Sequence, residues 1–166
     1  MGFIVVPLFL IGSCAGHKSK RSRIETVIQT ARSYTGTPYK WGGTTRSGMD
    51  CSGLLLNSFK AIDYDIPRTS AQQSKTGKRV AKNEIKEGDL VFFATGKKKR
   101  KITHVGLVTE VHGNEVRFIH ASTSLGVVES DLNTDYYQKR FRQSRRIMQA
   151  CLFFLNSVLY LHALGD

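Results

Sequence analysis

The sequence predicts an α+β domain, with helices in its first half packed on a central antiparallel sheet from its second half. Three observations carry this. Apolar residues recur at helical spacing in two early stretches, with Ile24, Val27, Ile28 and Ala31 in one and Leu54, Leu55, Phe59 and Ile62 in the other. From Asp89 onward the pattern changes to short runs rich in Val, Ile and Phe, parted by Gly and Asn. Helices that precede strands, instead of alternating with them, fit a layered α+β arrangement and not a doubly wound sheet.

The elements follow in order. Residues 1–14 (MGFIVVPLFLIGSC) are almost wholly apolar, too short a run for a comfortable span, and suit the core of a signal segment. The run closes on Ile11-Gly12-Ser13-Cys14, small residues before a cysteine, and so resembles a lipoprotein signal in which Cys14 takes the lipid. No Lys or Arg precedes it, a departure from the usual signal; the other reading is an uncleaved hydrophobic anchor. Residues 15–23, basic from His17 on, read as a tether. The first helix is expected over residues 24–34, stopped by Gly36. Residues 37–48 hold Gly, Thr and Pro and read as a loop, and residues 51–62 as the second helix. A short third helix is expected over residues 67–73, capped by Thr69 or Ser70. Strands follow over residues 89–93, 104–111, 115–121 and 126–129, the second and third joined by the turn His112-Gly113-Asn114. Residues 24–148 thus form the domain. Residues 149–166 make an apolar tail whose Asn156, Ser157 and His162 weaken a membrane span and favour a packed or interfacial helix.

The chain has 166 residues, enough for one domain with a real core. Its formal charge of +12 implies an anionic partner, whether nucleic acid, anionic membrane or an acidic wall polymer. No zinc-ligand spacing, aromatic RNA-binding signature or helix-turn-helix accompanies that charge, so nucleic acid is not the expected partner. Three cysteines (Cys14, Cys51 and Cys151), with no CxxC pair, argue against a disulfide framework.

Asp50-Cys51-Ser52-Gly53 places one cysteine where a turn runs into a helix. Asp50 is a good N-cap, and the free N–H groups of a helix start favour a thiolate. Taken alone, Cys51 could equally be a buried structural thiol. Two histidines tip the balance. His104 opens one strand and His120 lies near the end of the next; a short turn makes these strands antiparallel neighbours and brings the two ends together. His120 could then fix the tautomer of His104 while the other His104 nitrogen faces Cys51, the logic of nucleophile, base and orienting group.

The chain resembles the NlpC-type cell-wall endopeptidases, papain-like cysteine peptidases of bacterial peptidoglycan. The matching stretches are Gly36-Thr37-Pro38-Tyr39-Lys40-Trp41-Gly42-Gly43, Gly48-Met49-Asp50-Cys51-Ser52-Gly53, Ile66-Pro67-Arg68-Thr69-Ser70 with Gln72, Gly88-Asp89-Leu90-Val91-Phe92-Phe93, His104-Val105-Gly106-Leu107 and Phe118-Ile119-His120-Ala121-Ser122, all in family order. The resemblance implies a papain-like fold, with Cys51 as nucleophile, His104 as base and acid, and His120 as the third polar residue. It implies Tyr39, Asp50, Ser52, Arg68 and Ser70 near the substrate, and neither metal nor cofactor. The substrate it implies is the stem peptide of peptidoglycan, commonly cut between a D-amino acid and diaminopimelate or lysine. The expected setting is the bacterial cell envelope, with a membrane held through a lipid anchor and the protein a monomer. A thiol amidase or acyltransferase would use the same residues; a non-catalytic wall-binding lipoprotein would need a broken triad, and this one is intact. The run Lys97-Lys98-Lys99-Arg100-Lys101 just before His104 reads as a solvated loop or as a hold on an anionic wall polymer.

Overall fold

The computed structural model describes residues 13–148 of the chain. The expected signal segment, the expected lipidation site at Cys14 and the apolar tail lie outside the residues whose side chains are described. None of the described helices is long and apolar enough to cross a membrane.

Six strands form one antiparallel sheet in the order β3-β8-β4-β5-β6-β7, where β3 is Lys78–Val80, β4 Leu90–Phe93, β5 His104–His112, β6 Glu115–Ser122, β7 Gly126–Asp131 and β8 Phe141–Arg146. Two helices, α1 (Ser13–Arg32) and α2 (Cys51–Lys60), contribute to the core on one face. Val27, Ile28 and Ala31 of α1 meet Leu54, Leu55 and Phe59 of α2 over Leu90, Phe92, Val105, Leu107, Ile119 and Ala121 of the sheet. Side chains alternate along a strand, so Val91, Phe93, Val108 and Phe118 fall on the other face and build a second cluster with Leu132 and Tyr137. Phe93 and Phe118 stand 5.2 Å apart there. All four β4 residues are fully buried, as a strand packed on both faces requires.

The predicted α+β layering holds, but several elements differ from expectation. The first helix, expected over residues 24–34, starts at Ser13 and takes in the basic stretch read as a tether; its Lys, Arg and Ala residues are good helix formers, and no proline interrupts it. It ends at Arg32, and Gly36 follows with φ +82. The second helix ends at Lys60 and not Ile62, and the third, expected from Pro67, is only α3 (Ser70–Gln73), because Thr69 is extended and caps it. Strands β3 and β8 and the short helix α4 (Asp135–Arg140) have no counterpart in the sequence reading. The sequence of β8, FRQSRR, lacks an apolar alternation. It is a strand because it fills the gap between β3 and β4, its arginines reaching other partners, such as Arg146 to Asp89 at 2.8 Å.

Candidate active site

The site is built at the N-terminus of α2. Asp50 is extended (φ −94, ψ 170) and its Oδ1 accepts the Gly53 N–H at 2.7 Å, closing the first turn. The same carboxylate accepts the Ser52 hydroxyl at 3.0 Å, the Gly42 N–H at 3.0 Å, and the Arg68 guanidinium at 3.0 and 2.8 Å. Burial alone would raise its pKa. The Arg68, Gly53 and Ser52 donors outweigh that and hold it below the usual carboxylate range. These partners occupy Asp50 within the protein. Arg68 also donates to Ser52 Oγ at 2.9 Å, so Asp50, Ser52 and Arg68 form one network beside the cysteine.

A two-stranded ribbon, β1 (Thr44–Thr45) with β2 (Gly48–Met49), leads into this turn. Gly53 is required there, since a Cβ would stand 2.3 Å from the Gly43 carbonyl oxygen. Residues 38–40 run beside Met49, with the Met49 N–H donating to the Pro38 carbonyl at 3.0 Å and the Lys40 N–H to the Met49 carbonyl at 3.1 Å. That pairing carries Tyr39 to the site. Burial first, then the nearby Cys51 and Asp50, raise its phenol pKa. Gln73 is fully buried and donates to the carbonyls of Ser52 and Pro67, joining α3 to the same turn.

Cys51 is 7% exposed. Burial pushes its thiol up to about 11, against the pull of the backbone N–H groups of Val105, Ser52 and Cys51 itself. The Asp50 cap serves the Gly53 N–H, which leaves those of Cys51 and Ser52 to act on the sulfur. Val105 follows His104 directly, so the sulfur lies at the start of β5. There the β5–β6 register begins only at Leu107 opposite Ile119, and the two histidines fill the open end. His104 Nε2 is 3.0 Å from His120 Nδ1, with the rings nearly perpendicular. His104 is half-buried and His120 only 1% exposed. Burial pulls His104 down to about 4; burial and His104 together pull His120 to about 3. Around neutral pH the resting site therefore holds a neutral thiol and two neutral imidazoles.

The residues expected from the sequence thus come together at one end of the sheet: Cys51 beside the Val105 N–H at the start of β5, His104 bonded to His120, and Tyr39, Asp50, Ser52 and Arg68 around the cysteine. Ser70 is the half-buried first residue of α3, and Thr69 takes the capping role. The sequence reading missed Ser130 and Tyr137. Both hydroxyl oxygens lie 3.0 Å from His120 Nε2. The strand periodicity could have found Ser130, which lies opposite Phe118 and on the His120 face. Tyr137 arrives on α4, which has no sequence signal strong enough to place it. Among the described residues no cluster of three or more His, Cys, Asp and Glu side chains could hold a metal ion.

The pattern of the NlpC/P60 family matches residues 36–146. The chain is 40% identical over 154 residues to an Escherichia coli K12 protein named a probable endopeptidase NlpC, spanning 87% of this chain and 97% of that one. It is 38% identical over 116 residues to the E. coli K12 murein DD-endopeptidase MepS/murein LD-carboxypeptidase, 69% of this chain but 58% of that one. Among solved structures, an NlpC/P60 family protein from Bacillus cereus superposes with a TM-score of 0.69 at 32% identity, covering 76% of this chain and 40% of that one.

Proposed function

This chain belongs to the NlpC/P60 family, and from that premise we propose that it is a cysteine endopeptidase hydrolysing amide bonds in the stem peptides of peptidoglycan, with Cys51 as nucleophile, His104 as base and acid, and His120 as the group that orients His104. The observation that carries this reading is the meeting of the capped Cys51 with the start of β5, where His104 is bonded to His120 at 3.0 Å.

The chemistry follows from the resting charges. Either charge alone is disfavoured by burial, so the thiol proton leaves only as the nucleophile is used. His104 takes it on the nitrogen not occupied by His120, and the thiolate and imidazolium, formed together, offset part of each other's desolvation. The sulfur attacks the amide carbonyl carbon. The carbonyl oxygen gains negative charge, which the N–H groups of Cys51 and Ser52 at the helix start stabilise. His104 then gives its proton to the leaving amine, and the carbon–nitrogen bond breaks to leave a thioester on Cys51. Water, deprotonated by His104, attacks the thioester; the carboxylic product departs and the thiol is restored.

Tyr39, Ser52, Arg68 and Ser70 border the substrate in this reading. Asp50 acts by holding Arg68, Ser52 and the helix start in place, since its oxygens are already bonded inside the protein. The enzyme works in the cell envelope, and lipid attachment at Cys14 would tether it to a membrane there.

The test is mass spectrometry of peptidoglycan fragments released by the wild type beside Cys51→Ala and His104→Ala. New stem-peptide fragments from the wild type alone are expected, and their masses identify the bond. Fragments from the Cys51→Ala protein would overturn the thiol mechanism. No fragments from any of the three would point to a different amide substrate or to binding without cleavage.

A further inference from the structure

Two hydroxyls stand behind the histidines, and the mechanism above does not use them. His120 Nε2 has Ser130 Oγ at 3.0 Å and the Tyr137 hydroxyl at 3.0 Å. The sheet register supplies the first: His120 pairs with Val128 and Phe118 with Ser130, so Ser130 sits diagonally across from His120 on the same face. The second is held by packing, with the Tyr137 ring edge-on to Phe118 at 4.8 Å and 5.3 Å from Phe93.

The hydrogen-bond partners of the His120 side chain are His104, Ser130 and Tyr137, all uncharged. A buried histidine with uncharged partners cannot steady an imidazolium as a carboxylate would. What it can do is choose a tautomer. A neutral imidazole carries one N–H. If that hydrogen is on His120 Nε2, Nδ1 accepts from His104 Nε2–H, and the remaining His104 nitrogen is free to take the thiol proton. If it is on His120 Nδ1, it donates to His104 Nε2, the His104 hydrogen moves to the other nitrogen, and His104 cannot act as the base. The hydroxyl pair decides between the two. An unprotonated Nε2 has one lone pair and could accept from only one of the two hydroxyls, whereas an Nε2–H can be shared between both oxygens, which stand at equal distance.

We propose that Ser130 and Tyr137 are positioning residues that keep the His120 hydrogen on Nε2 and thereby hold His104 in the tautomer able to deprotonate Cys51. The proposal rests on the assignment of Cys51 and His104 given above. Without the hydroxyls, an Nε2–H would have no oxygen acceptor beside Phe118, and the hydrogen would move to Nδ1, where His104 accepts it.

The test uses the full chain with 15N-labelled histidine and reads the tautomer of each ring from its nitrogen–proton couplings, with His104→Asn and His120→Asn assigning the signals. In the wild type, both rings are expected to carry hydrogen on Nε2. In the Ser130→Ala/Tyr137→Phe double variant, His120 should shift toward Nδ1–H, and kcat on a stem peptide should fall roughly 10- to 100-fold with KM little changed, a fraction of what general-base catalysis supplies. Tyr137→Phe alone keeps the ring packed on Phe118 and guards against simple unfolding. Ser130→Thr, which retains a hydroxyl, should keep both the tautomer and most of kcat. Wild-type His120 carrying its hydrogen on Nδ1, or a double variant with unchanged tautomers and kcat, would overturn the proposal. Activity surviving in Cys51→Ala would instead overturn the underlying assignment, and the tautomer readout does not depend on that.

Discussion

At the scale of single residues, the site works because burial and hydrogen bonding set which atoms carry protons. Folding holds His104 near 4 and His120 near 3, whereas a free imidazole titrates near 6.5. Below pH 6.5 the unfolded chain binds protons that the folded rings refuse, so folding stability is lost as pH falls from about 6.5 toward 4. The midpoint of thermal unfolding should therefore drop across that window, and His120→Asn should flatten the slope. In the proposed mechanism His104 must be unprotonated to accept the thiol proton, so the same shift places the acid limb of kcat/KM near 4. A limb centred at 6.5 would contradict the buried geometry. Cys51 and its Asp50 cap were legible from four consecutive residues, since a cap acts within one turn. The occupation of Asp50 by Arg68 was not, because 18 positions separate the two.

At the scale of elements, the β5–β6 pair is the part whose precision matters most, because it carries both histidines. Gly106 on β5 permits it: a Cβ there would stand 2.4 Å from the Phe118 ring and 3.1 Å from the Ile119 carbonyl oxygen. Gly106→Ala should separate the strands or displace Phe118, at a cost of about 1–3 kcal/mol as for overpacked cores. A lower denaturant midpoint together with a loss of kcat would bear this out; an unchanged protein would show that β6 can yield without moving His120. The hairpin itself was readable from its alternation and its His112-Gly113-Asn114 turn. The edge strand β3 and its neighbour β8 were not, because cations replace apolar residues in them and Lys78 faces Arg146, and Arg79 faces Arg145, across the ladder. Like charges opposed in this way disfavour pairing by themselves, so neighbouring contacts such as the Arg146–Asp89 ion pair must sustain it.

At the scale of the whole molecule, a charge of +12 is carried largely on the surface, and one exposed run of it, Lys97 to Lys101, ends just before His104. Arg142, at the start of β8, donates to the Lys99 carbonyl at 2.7 Å and ties that loop to the sheet. A tethered cationic loop at the His104 end of the sheet has the charge to attract an anionic wall polymer. Replacing Lys97, Lys98, Lys99 and Lys101 by Ser should weaken retention on purified peptidoglycan at low salt and leave kcat on a small soluble stem peptide unchanged. Retention that is equal for both proteins and insensitive to salt would assign the loop a solvated role only.

The sequence by itself determined the features that depend on near neighbours: the helix-capped cysteine, the strand periodicity, the hairpin that unites His104 with His120, and the ordered motifs of the family. Local sterics and hydrogen bonds within a few residues suffice for each. Only the tertiary structure decided which groups stand behind those residues. Arg68 closing on Asp50, the Val105 N–H at the Cys51 sulfur, and Ser130 with Tyr137 at His120 all depend on how segments distant in sequence pack together around the sheet. No local pattern encodes that packing. It follows from burying two apolar faces of one sheet at once, and it is this burial that sets the protonation of the site.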